Sequence, residues 1–146
     1  MAENADLVRD IYKAWNERDF DRMVESQATD ATLIDLGSGE TYRGRDGVRK
    51  YATAWADGFP DAEITVDRVI EAGDMIVAEV TGKGKHTGEL VTPGGTIPAT
   101  GRTVTLHLCD IYEVKDGKVQ TQRTYFDTGS MMAQLGLSVG LPSTPL

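Results

Sequence analysis

The segment from Arg102 to Asp127 constrains this chain more than any other. Two long runs of alternating residues, Arg102 to Val114 and Val119 to Asp127, flank Lys115-Asp116-Gly117-Lys118. Asp-Gly favours a tight two-residue hairpin because both residues tolerate positive φ, so the two runs are expected to pair antiparallel. In the first run Val104, Leu106, Leu108, Asp110, Tyr112 and Val114 share one face. Thr103, Thr105, His107, Cys109, Ile111 and Glu113 share the other. The first face is apolar apart from Asp110 and the Tyr112 phenol, and should point inward. Such a face must be covered by another part of the chain.

The cover is found upstream. Asn4 to Asn16 carries Leu7, Val8, Ile11, Tyr12, Ala14 and Trp15 at helical spacing, with Asn4 or Asp6 as candidate caps. A second short helix is expected over Asp19 to Gln27 and a strand over Ala31 to Leu36, stopped by Gly37-Ser38-Gly39. Tyr42 to Gly47 opens a third helix with Val48, Tyr51, Ala52 and Trp55 on one side, and Gly58-Phe59-Pro60-Asp61 ends it. Ile64 to Ile70 and Met75 to Val80 read as strands joined by Ala72-Gly73-Asp74, and Thr92-Pro93-Gly94-Gly95 as a loop between strands. Helices followed by a meander of long strands is an α+β order. With no repeat and no linker in 146 residues, one domain is expected over 1–146, residues 137–146 forming a C-terminal tail.

Charge narrows the partners. The net charge of −8, from 23 acidic and 15 basic side chains, argues against nucleic acid and against an anionic membrane surface. No apolar run reaches membrane-spanning length and the acidic N-terminus lacks signal-peptide features, while a single cysteine, Cys109, fits a reducing cytoplasm. There is no zinc-spaced His/Cys cluster, phosphate-cradling glycine loop, dinucleotide fingerprint or Gly-x-Ser-x-Gly motif, so neither metal nor cofactor is expected.

Asp110 is the outstanding chemical candidate. A carboxylate on an apolar inward face is costly unless paired, hydrogen-bonded or protonated. It is either an acid/base group with a raised pKa or a structural carboxylate bonded to amides or an arginine. His86, in Gly84-Lys85-His86-Thr87-Gly88, is a candidate proton relay at a pocket rim, or a plain polar contact. Tyr12, Trp15, Trp55 and Phe59 on the helix stripes, with Leu108, Tyr112, Gln122 and Thr124 from the long strands, are the expected pocket lining. Gln120, Gln122, Thr124 and Phe126 alternate with Val119, Thr121, Arg123, Tyr125 and Asp127, and neither set is purely apolar. Arg123 and Tyr125 are therefore expected at a subunit interface or in ion pairs rather than as catalysts.

The order of these segments resembles the SnoaL-like polyketide cyclase branch of the nuclear transport factor 2-like superfamily. The landmarks are Gly44-Arg45-Asp46-Gly47, Phe59-Pro60-Asp61, Gly84 to Gly88, Pro98…Gly101-Arg102, Asp110 to Val119, Tyr125-Phe126-Asp127 and Gln134-Leu135-Gly136. The resemblance implies a cone-shaped curved mixed or antiparallel sheet capped by N-terminal helices, forming a homodimer or homotetramer and needing no metal or cofactor. It implies an aspartate that removes a proton α to a carbonyl during aldol closure of a polyketide. Relatives include epoxide hydrolases, ketosteroid isomerases and cofactor-independent oxygenating enzymes.

Counted from Tyr125-Phe126-Asp127, the family's catalytic aspartate falls on Thr124, which cannot act as that base. Counted from Asp116-Gly117-Lys118, its active-site histidine falls on Asp110 and its glutamine on Leu108, while Asp127 reads as structural. Three readings stand at this point. The first is a cofactor-independent acid/base enzyme (cyclase, isomerase or hydroxylase type) acting on an apolar polyketide-like or cyclic substrate through Asp110, with help from His86 or Gln122. The second is a small-molecule-binding protein without catalysis. The third is an assembly module.

Overall fold

A computed structural model describes residues 3–137; the expected tail lies outside the described residues from position 138 onward. The elements are α1 (Glu3–Asn16), α2 (Phe20–Glu25), β1 (Gln27–Asp35), β2 (Glu40–Arg43), α3 (Gly44–Gly58), β3 (Glu63–Ala72), β4 (Met75–Lys85), β5 (Leu90–Thr92), β6 (Gly95–Ile97), β7 (Thr103–Lys115), β8 (Lys118–Phe126) and α4 (Thr128–Gln134). Six strands form one curved sheet in the order β2-β1-β8-β7-β4-β3, and β5-β6 is a separate hairpin. The pair β1-β8 is parallel and the other pairs of the large sheet are antiparallel, so the α+β fold with a mixed sheet is as expected.

The β7-β8 turn is the one its residues dictate, with φ of 53° at Asp116 and 70° at Gly117. α1 buries Val8, Ile11, Tyr12, Ala14 and Trp15, the stripe its spacing defines. Asn4 and Asp6 lie inside this helix rather than capping it, because helical backbone already begins at Glu3. Arg18 then fastens the end of α1: its guanidinium covers the Trp15 ring at 4.1 Å and donates to the carbonyls of Pro60 and Ala62.

Two bulges account for faces that simple alternation misassigns. In β3 the register slips between Val66 and Arg68, so Ile64 and Val66 pack on the core but Val69 follows them and Ile70 turns outward. In β8 the slip lies opposite Glu113 and Val114, which puts Val119 on the same buried side as Gln122 and Thr124. That is why neither alternating set of β8 looked apolar. The helices α1, α2 and α3 cover the inner face around Tyr112, Ile76 and Leu33. A second cluster of Phe59, Leu90, Val104, Leu106, Met131 and Leu135 closes the other end. Trp55, Ala62 and Leu108 pack against both clusters, and the hollow lies where the two meet.

Candidate active site

β7 brings Asp110 to the inner face because Val104, Leu106, Tyr112 and Val114 of the same phase are buried. Asp110 is 3 % exposed and lines a cavity of about 120 Å³, counted as the space open to the centre of a water-sized sphere. One water needs roughly 10–15 Å³ of such space, so the hollow admits an organic molecule. The walls are largely apolar, from Ile11, Trp15, Leu33, Trp55, Phe59 and Leu108 among others. Of the expected lining residues, Tyr12, Trp15, Trp55, Phe59, Leu108, Tyr112, Gln122 and Thr124 all reach this cavity with Asp110.

One hydrogen-bonded chain reaches the Asp110 carboxylate and a second polar pair faces it. Tyr112 Oη donates to Tyr12 Oη at 2.8 Å, and Tyr12 Oη donates to Asp110 Oδ2 at 2.5 Å. On the other side Gln122 Nε2 donates to Thr124 Oγ1 at 3.1 Å. The Thr124 hydroxyl faces Asp110 closely enough to favour its ionised form, although Oδ1 has no partner of ordinary geometry. Burial pushes the Asp110 pKa from 3.8 up to about 6. The Tyr12 and Thr124 hydroxyls pull it down, and the charge of Asp35 pushes it up. Burial and the Asp110 charge hold Tyr12 and Tyr112 well above ordinary phenols, so both stay protonated donors.

Asp35 is the residue that reading along the chain missed. β1 and β7 flank β8, and the register places Asp35, Thr124 and Asp110 side by side across the three strands. Asp35 is buried, and its Oδ1 accepts the amides of Gly37 and Ser38. The available signal was the phase of Ala31 and Leu33, which share the inward face with position 35.

His86 is held elsewhere. It is fully buried against Phe59 rather than placed at a rim, and it is not among the residues lining the cavity. Its amide donates to Arg102 O, its carbonyl accepts from Gly101, and its Nδ1 accepts the amide of Thr100. The proton of the neutral ring is thereby assigned to Nε2, and burial lowers the ring pKa. His86 thus clamps the 86–102 excursion that carries β5 and β6. Asp127 caps α4, accepting from Ser130 N at 3.1 Å. Arg123 and Tyr125 are exposed on the outer face of β8. Among the described residues no group of three or more His, Cys, Asp or Glu side chains could hold a metal ion, and no helix is long and apolar enough to cross a membrane.

The model of the SnoaL-like polyketide cyclase family matches residues 5–135. The chain belongs to that family. Solved structures of similar fold include TsrD from Streptomyces laurentii, 27 % identical with a TM-score of 0.80, covering 94 % of this chain and 98 % of that one. IdmH from Streptomyces antibioticus is 27 % identical with a TM-score of 0.76, covering 92 % and 99 %. AclR from Streptomyces galilaeus, at 22 % identity and a TM-score of 0.80 over 98 % and 91 %, shares the fold. No curated protein sequence matches the chain significantly. Within this SnoaL-like fold, the inner face of β7 supplies the one carboxylate that the described residues place on the cavity wall.

Proposed function

We propose that this single-domain chain is a cofactor-independent acid/base enzyme of the cyclase, isomerase or hydroxylase type. It acts in the cytoplasm on an apolar cyclic or polyketide-like carbonyl compound. One observation carries the reading: a carboxylate with a pKa near 6 at an apolar cavity, one oxygen held by Tyr12 and the other unpaired. A base poised close to working pH combines a large ionised fraction with useful proton affinity, and such catalysis contributes about 10²- to 10⁴-fold. Asp110 Oδ1 takes a proton from the carbon α to the carbonyl; the electrons of the C–H bond move onto the carbonyl oxygen, giving an enolate. Returning the proton at another atom isomerises, and attack of the enolate carbon on a second carbonyl closes a ring. IdmH, provisionally named a polyketide cyclase, supports the substrate class. The exposed outer face around Arg123 and Tyr125 supports a homodimer or homotetramer.

The test does not require the natural substrate. In D2O the protein should exchange deuterium into the α-carbons of 2-tetralone, a bicyclic apolar ketone, faster than buffer alone. The rate should rise with pH through about 6 as Asp110 ionises, and Asp110→Asn should abolish the gain. Binding with no enhanced exchange would instead favour the non-catalytic ligand-binding reading.

A further inference from the structure

Proton abstraction next to a carbonyl builds negative charge on the oxygen, and that charge needs a hydrogen-bond donor waiting for it. Four hydroxyls stand on the cavity wall: Tyr12, Tyr51, Tyr112 and Thr124. Tyr12 donates its hydrogen bond to Asp110 and Tyr112 donates its own to Tyr12. The Thr124 hydroxyl serves Asp110, and Gln122 turns its amide N–H to Thr124, leaving its buried Oε1 as an acceptor. The Trp15 indole donates to Ala52 O at 3.1 Å. Among the described residues the Tyr51 hydroxyl is the buried hydroxyl with no partner of ordinary geometry.

The surroundings of Tyr51 suit a neutral donor. The Trp55 indole approaches its oxygen as a donor, which leaves the O–H proton free to point elsewhere. Burial, with the charges of Asp35 and Asp110, raises the phenol pKa well above the ordinary value, so the proton stays on. Asp35 faces the same hydroxyl, but its Oδ1 is committed to the amides of Gly37 and Ser38. α3 carries Tyr51 and β1 carries Asp35, so this pair stands apart from the Tyr12–Tyr112 pair that serves Asp110.

We propose that Tyr51 turns its one O–H proton from Asp35 to the carbonyl oxygen of a bound ketone and so donates the hydrogen bond that receives it, while Tyr12 is reserved for Asp110. The cavity then selects apolar carbonyl compounds over hydrocarbons of the same shape. The assignment deepens the acid/base reading above, yet its binding test stands independently of any turnover.

The experiment compares 2-tetralone with tetralin, the same bicycle without the oxygen, by NMR titration, and records the carbonyl stretch of bound 2-tetralone by infrared difference spectroscopy. One neutral hydrogen bond predicts that Tyr51→Phe weakens 2-tetralone roughly three- to tenfold and tetralin less than twofold. The bound carbonyl stretch should return to higher wavenumber in Tyr51→Phe. Asp110→Asn should keep the affinity and the stretch while losing deuterium exchange, so failure of the base and failure of the donor are read separately. Equal loss of both ligands in Tyr51→Phe would mark a packing role and overturn the proposal. An unshifted stretch in Tyr51→Phe, or loss of 2-tetralone binding confined to Asp110→Asn, would also overturn it.

Discussion

Replacing Asp110 with Asn should stabilise the folded protein at pH 8. Burial raises this carboxyl from 3.8 to about 6, and at about 1.4 kcal/mol per pKa unit the ionised form costs the native state about 3 kcal/mol. The sign follows from linkage. Between the unfolded and folded pKa values the native state binds more protons than the unfolded chain, so this contribution makes stability fall as pH rises through that window. Well below the unfolded value of 3.8 the carboxyl is protonated in both states and the cost vanishes. Asn is neutral throughout, and its amide oxygen can still accept from Tyr12. Urea unfolding from pH 4.5 to pH 8, followed by fluorescence of Trp15 and Trp55, should therefore show the mutant gaining on the wild type by about 2 kcal/mol across the range. A constant packing defect shifts every point equally and leaves this difference intact. A difference that does not change with pH would refute the claim that Asp110 is held near 6 by burial, and with it the poised base.

Removing the Tyr12 hydroxyl tests the opposing influence. A hydrogen bond to a charged group is worth about 1.5–3 kcal/mol, so Tyr12→Phe should raise the Asp110 pKa by roughly one to two units. A titration of 13C-carboxyl-labelled aspartate would read it; an unchanged or lowered value would contradict the 2.5 Å bond as a support of the anion. His86 should titrate with the opposite consequence for stability. Its folded pKa is lowered by burial, so the unfolded chain binds the extra proton and stability falls as pH drops below about 6.5. His86→Asn should flatten that acid limb in urea unfolding, and an unaltered limb would show that His86 carries none of it.

The fold was legible in the chain wherever periodicity met punctuation. The Asp116-Gly117 hairpin, the α1 stripe and the inward phase of β7 are local signals, and each stands where its residues place it. The short edge strand β2 and the small helix α4 were not legible. β2 is four residues paired with β1 alone, and α4 is seven residues whose burial of Met131 depends on the far end of the sheet. Bulges are likewise invisible in one sequence, because the slip near Gln120 is defined by β7 across the ladder. The site divides in the same way. Asp110 stood out as an acid in an apolar phase, whereas Asp35 is the last residue of β1, where an inward acid just before Gly37 reads as the start of a turn. His86 drew attention as a histidine beside glycines, but its role is set by Thr100 and Arg102, which only the closed excursion brings to it.

The row Asp35, Thr124, Asp110 makes threonine at position 124 compatible with the proposed acid/base site. Directly opposite like charges destabilise a sheet, and an acid at the centre of this row would have a carboxylate on both sides. With the acids at the two outer places, the central residue does more as a hydroxyl that links Gln122 to Asp110. Asp110 on β7 stands one strand over from Thr124 on β8, and both face the same cavity. Thr124→Asp would set three carboxylates abreast, raise the Asp110 pKa further and remove the relay.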